Sequence, residues 1–260
     1  MSHQAQIYIN NIIAQKPAQY AIENHALNNT EASALLQRLS NDATSYIYSS
    51  IVSLADATLS INKGMFTWAT VKLYYASFYA IRSLLASHGV CIFYIQTSSH
   101  KSTPFILDSK PGELPKKGKG TTHKLILDTF KAHNIEPYIL SQLIDLEEPL
   151  EWLIQKREEA NYKIAKFSEP QVPKHFEKII QYSLRRAIKD YLSDTSGLYL
   201  FDPDHAILSY PLRLIQIAYD KLLISNTLAL TNEEIIYLRQ LFRDKNGCPL
   251  PEIYQMFKNL

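Results

Sequence analysis

Only two cysteines, Cys91 and Cys248, occur in 260 residues, far apart and without C-x-x-C spacing. That excludes a disulfide framework and a zinc ribbon, and a chain this long can bury enough core to need neither. Glycine is almost as scarce, with seven residues and none before Gly64. Folds assembled from many tight turns are thereby disfavoured, and long helices are expected. No segment offers roughly 18 consecutive apolar residues, and MSHQAQIYINNIIAQKPAQY has no basic stretch leading into an apolar run. The expectation is therefore a chain without membrane span or export signal, at home in the reducing cytoplasm. Charge of one sign is also lacking: the formal net charge is +2, which selects no class of partner.

What is present fits an ordinary globular protein, with 46% hydrophobic and 20% charged residues. The 17 Tyr and 10 Phe point to aromatic-rich helix packing. Apolar residues recur at helical spacing from a start near Thr30 and Glu31 to about Leu59. MFTWATVKLYYASFYAIRSLLASH, residues 65–88, is apolar on nearly every face and is followed by Gly89 as a stop; such a helix belongs at the centre of a bundle. CIFYIQT, residues 91–97, reads as a short strand or an extended arm. The stretch from Ser98 to Thr122 has the Pro, Gly and Lys content of a long loop. Helical periodicity returns in HKLILDTFKAH and PYILSQLIDLEE, and Pro149 suits the first turn of the next helix. FSEPQVPKHF is the best boundary. Beyond it HFEKIIQYSLRRAIKDYL, PLRLIQIAYDKLLIS and NEEIIYLRQLF read as further helices. The organisation predicted is an N-terminal segment (1–30), a helical bundle (31–168) with a basic loop at 98–122, and a C-terminal helical extension (174–260).

Few stretches carry recognisable chemistry. GELPKKGKGTT invites comparison with a phosphate-cradling P-loop, but Gly112 and Gly118 are one residue too far apart, and Gly120 stands where Ser or Thr should hold magnesium. The same region is locally basic. Lys101, Lys110, Lys116, Lys117, Lys119 and Lys124 face only Asp108 and Glu113. A patch centred on Lys116, Lys117, Lys119 and Lys124 can neutralise nucleic-acid phosphates; the alternative is a solubilising loop. His88, His100, His123 and His133 show no metal-ligand spacing, so no metal or other cofactor is expected. Arg82 and His88 point about 120° apart on a helix, and Arg82 reads as a neighbour of Phe78 whose stem covers apolar surface.

LEWLIQKREEANYKI, residues 150–164, poses a sharper question. Alternating steps of four and three place Leu150, Ile154, Arg157, Asn161 and Ile164 on one seam. A guanidinium there must find an acceptor or reach water. Either Arg157 pairs with a carboxylate across the bundle, or the seam lines a groove.

YYASFYAIRSLLASHG resembles the YYA-x-F-x-A helix of HEPN-superfamily proteins, GTTHKLILDTF resembles that group's T-H helix start, and REEANY resembles its closing R-x-x-A-D-Y helix. The matches fall in the family's order within residues 65–165. The resemblance implies an all-α antiparallel bundle that forms a homodimer with the last helix lining its groove. It implies a place in bacterial toxin–antitoxin or anti-phage defence, and in many members metal-independent RNA cleavage by an Arg and a following His with four to six residues between them. Carried over, that Arg is Arg157, with Asn161 one turn beyond it on the same face and Tyr162 at the first position where the His would stand. Residues 162–164 are Tyr, Lys and Ile, so the motif His is missing. A phenol, ordinarily titrating near about 10, is a poor base at neutral pH, and Asn161 can orient a phosphate but move no proton. Two functions are carried forward. One is an RNA-directed HEPN-like protein using Arg157 and the basic patch. The other is a non-catalytic helical adaptor for a protein partner such as an NTPase or antitoxin.

Overall fold

Asn28 opens the longest helix. Its side-chain oxygen accepts from the Glu31 amide at 2.9 Å while the Glu31 carboxylate accepts from the Asn28 amide at 3.0 Å, a reciprocal cap that satisfies two amides with no other partner at a helix start. The computed structural model describes residues 3–13, 18–98, 101–163 and 165–256. Ile164 of the predicted seam, and His100, lie outside the described residues. The chain is mostly helical, with eleven α-helices among the described residues, and divides into two compact units.

The first unit comprises Met1–Tyr46, Ile81–Ile135 and Lys221–Ala229. It holds α1 (Gln4–Ile12), α2 (Gln19–Glu23), the start of α3 (Asn29–Asn62), the end of α4 (Phe66–Ser87) and α5 (Thr122–Ala132). Gly89 stops α4 in the left-handed region at φ 78°, and a Cβ there would stand 2.5 Å from Ser109 Oγ, which explains why glycine occupies this position. The all-α expectation fails just beyond it. Val90–Ser98 forms β1, Lys101–Asp108 forms β2 and Lys116–Lys117 forms β3, an antiparallel sheet in the order β1-β2-β3. Much of the segment read as a loop is therefore strand. Cys91, Phe93 and Ile95 alternate inward on β1 and Thr103, Phe105 and Leu107 on β2, all buried. Phe93 and Phe105 are directly opposed with rings stacked at 5.6 Å. Pro104 is tolerated in the middle strand because it faces Tyr94, whose amide and carbonyl both point away from β2. Gln6 of α1 takes them: Nε2 donates to the Tyr94 carbonyl at 2.9 Å and Oε1 accepts from its amide at 2.8 Å. Asp42 holds the N-terminus of α1, accepting from the Gln4 and Ala5 amides at 2.8 and 3.0 Å.

The second unit comprises Ile47–Ala80, Glu136–Asp220 and Leu230–Leu260. Here α4 is buried on successive faces through Phe66, Ala69, Leu73, Tyr74, Ala76 and Phe78, as an all-round apolar helix must be. Ser50 of α3 donates to the Ala76 carbonyl at 2.5 Å, a contact that small side chains permit. α6 (Pro149–Glu158) begins on Pro149 as expected. PYILSQLIDLEE, expected as a helix, contains only a 3-10 turn over Pro137–Leu140. HFEKIIQYSLRRAIKDYL is divided into α7 (Lys174–Tyr182) and α8 (Leu184–Ser193) by Ser183, whose φ of 73° no α-helix accommodates. Arg185 fastens α8 to Asp244 and Glu252, each at 3.2 Å. α9 (Ala206–Ile224), α10 (Asn232–Leu241, capped by Thr231 and Glu234) and α11 (Pro251–Met256) complete the helices.

Candidate functional site

Thr67, Thr70 and Tyr74 lie three and four residues apart on α4, which places them along one side of the helix. The side chains meeting that side come from α6 and from the segment after it. At its N-terminal end Glu169 accepts from the Thr67 amide and hydroxyl, both at 2.7 Å, acting as an anionic cap from 102 residues away. Burial by itself would raise the Glu169 carboxyl, but hydrogen bonds from Thr67, from its own amide and from Ser168 together outweigh it and hold the group below the ordinary carboxylate range. Trp68 meets Phe167 edge-on at 5.9 Å, and Phe66 meets Phe176 at 5.4 Å. These contacts bring the start of α7 against α4.

His175 arrives with α7 and lies 3.4 Å from the Thr70 hydroxyl. Burial, reinforced by the Lys156 ammonium, pushes its imidazole down to about 4, so at neutral pH it is uncharged. One turn of α4 further on, Arg157 sits with its guanidinium carbon 4.7 Å from the Tyr74 ring centroid, within cation–π range. Burial raises the Tyr74 phenol well above its ordinary value, opposed by the Arg157 charge.

Arg157 has little else. Its side chain is 13% exposed, its ion pair is with the adjacent Glu158 at 3.4 Å, and its Nε is buried without a hydrogen-bond partner among the described residues. No carboxylate from another helix pairs with it among the described residues. Trp152 Nε1, on the same helix, is likewise buried and unpartnered. Lys156 pairs with Glu159 at 3.1 Å and stands 5.6 Å from the Trp152 ring.

The predicted seam is corrected at its C-terminal half. Glu159–Lys163 is a turn of π-helix, whose wider spacing shifts every later position off the α-helical count. The buried side runs through Leu150, Leu153 and Ala160, Ile154 is half-buried, Asn161 is half-buried, and Tyr162 is 75% exposed. Arg157 is therefore on the inward side, whereas Tyr162 is not brought to it.

The lysines belong to the first unit. Lys116 and Lys117 are exposed on β3, Lys119 is exposed beyond it, and Lys124 is exposed on α5, where it pairs with Asp128 at 3.3 Å. Lys117 donates to Gln19 at 2.9 Å. Sequence reasoning missed Glu169 and His175; a carboxylate just before Pro170 and an imidazole just after Pro173 gave no periodic signal. Arg82, read from the sequence as a neighbour of Phe78, carries its guanidinium over Tyr46, 4.1 Å from the ring centroid, a partner that the sequence did not indicate. Among the described residues no group of three or more His, Cys, Asp or Glu side chains is arranged to hold a metal. No helix is long and apolar enough to cross a membrane, again among the described residues. No family model, curated protein or solved structure matches the chain.

Proposed function

We propose that the chain is a HEPN-like protein of a bacterial toxin–antitoxin or anti-phage defence system, and that it binds RNA through Arg157 and the exposed lysines Lys116, Lys117, Lys119 and Lys124. The observation that carries this reading is the state of Arg157. A guanidinium held for internal pairing would meet a carboxylate across the bundle, because a buried charge without one is destabilising by several kcal/mol, roughly 3–5. Arg157 meets an aromatic face and its own neighbour Glu158. Its buried Nε has no hydrogen-bond partner among the described residues, and a guanidinium is well suited to gripping a phosphate.

Turnover is not part of the proposal. Tyr162 is turned to solvent, and His175, with its pKa near 4, is too weak a base to drive proton transfer efficiently at neutral pH. The adaptor reading keeps one observation of its own. Ile236 and Tyr237 on α10 are 54% and 46% exposed, adjacent apolar side chains such as a protein partner would cover. Filter binding of labelled RNA to the wild type and to Arg157→Ala, with unfolding curves of both, separates the readings. RNA affinity lost with the fold intact supports the groove. A wild-type protein that binds no RNA leaves the adaptor.

A further inference from the structure

The first unit contains a half-open cleft of 230 Å³ between α1, α3, the end of α4, β1 and the start of α5. Tyr46 and Arg82 stand at its wall. Arg82 Nη2 donates to the Tyr46 hydroxyl, so the phenolic proton is left to donate to His3 Nδ1, 3.1 Å away. A neutral His3 then carries its own proton on Nε2, a second donor. No carboxylate lies within ion-pair distance of Arg82 among the described residues. Asp42 lines the same cleft, but both its oxygens are engaged by the amides of Gln4 and Ala5 at the positive end of α1. Arg82 thus makes no direct ion pair in this concave site among the described residues, and the one carboxylate beside it, Asp42, is turned to the amides of α1.

The remaining lining sorts by chemistry. Tyr94 and Thr122, linked at 3.0 Å, bring the N-terminal turn of α5 to one side, adding backbone donors and a positive dipole end. Leu39, Leu85 and Ile126 supply apolar lining. The volume corresponds to roughly eight waters at their liquid share of about 30 Å³, so a small molecule of that order fits.

We propose that this cleft binds a small organic oxyanion, an apolar body bearing a carboxylate or phosphate group, with the anionic end on Arg82 and the body against Leu39, Leu85 and Ile126. Because α1 supplies one wall, a bound ligand also tightens α1. The site is independent of RNA binding by Arg157 and would stand if that reading fell.

The test uses the full chain and three probes of one shape: benzoate, phenyl phosphate and uncharged benzamide. Calorimetry should give binding of at least one anion in the millimolar range or tighter, with benzamide at least about tenfold weaker, since a charge-assisted contact contributes that much. Whichever of benzoate and phenyl phosphate binds better identifies the headgroup. Arg82→Gln should weaken the anions about tenfold and leave benzamide unchanged. Hydrogen exchange of residues 4–12 should slow when the better anion is added. Equal binding of benzamide and the anions overturns the proposal, as does no binding by any probe; both results are read on the unaltered protein, so a variant that fails to fold does not obscure them.

Discussion

The guanidinium of Arg157 rests on the ring of Tyr74 with 4.7 Å between the guanidinium carbon and the ring centroid, and no carboxylate of another helix shares it among the described residues. This arrangement separates two effects that a buried arginine usually confounds. Removing it forfeits an aromatic contact of about 1 kcal/mol. It does not strand a buried carboxylate, which would cost about 3–5 kcal/mol. Arg157→Ala should therefore unfold in urea within about 1 kcal/mol of the wild type while losing RNA binding. Arg157→Lys should not restore it, because an ammonium lacks the planar fork and the weak hydration that suit an aromatic shelf. A large loss of stability with RNA affinity intact would return Arg157 to a structural role.

The four exposed lysines make a graded prediction. Each phosphate contact contributes roughly 0.7 to the salt slope for single strands. Lys116→Glu and Lys119→Glu should each weaken RNA binding and flatten that slope. Lys124→Glu should matter less, since Asp128 already competes for its ammonium. Titrations at several salt concentrations give the slopes; three variants with the wild-type slope would make the stretch a solvated surface.

Acid should act through His175 and then Glu169. The folded protein keeps His175 neutral down to about 4, while an unfolded chain protonates histidine from about 6.5 downward. In that interval the unfolded state binds more protons, so stability falls as pH is lowered, by at most about 3 kcal/mol. Glu169 follows: its lowered carboxyl contributes stability that is present above the ordinary glutamate range and lost as pH falls through its folded value. Urea unfolding at a series of pH values should show His175→Gln removing the upper part of the slope and Glu169→Gln the lower part.

The helix elements of this site were legible and its long-range partners were not. Residues 65–88 announced α4 because an apolar side chain recurs on every face and Gly89 ends the run. Arg157 was visible as a charge on a buried stripe. The π-turn after it was not, because nothing in EANYK encodes the wider spacing. Of the β1–β2 hairpin, β1 was legible as the strand option for residues 91–97, whereas β2 was hidden by Pro104, which reads as a strand breaker until its register opposite Tyr94 is known. Glu169 and His175 reach α4 across about a hundred residues, a distance over which periodicity carries no information.

A homodimer through the face carrying Trp68 and Phe167 is expected. Both rings are nearly half exposed, at 42% and 48%, while packed edge-on against each other, so a shared patch stands ready for a second copy. Light scattering should give about twice the 29.8 kDa chain mass, and Trp68→Glu should halve it. A wild-type mass of one chain at micromolar concentration would overturn this expectation.

The carboxamide of Gln6 occupies both backbone groups of Tyr94, and β1 is the outermost strand of its sheet. A single side chain is thus standing in for a missing neighbour strand. An open sheet border is a template onto which other chains add and aggregate, and here the guard is one residue on a nine-residue helix. Proteolytic loss of that helix would therefore do more than shorten the protein: it would unmask a row of hydrogen-bonding groups and make the sheet prone to polymerise.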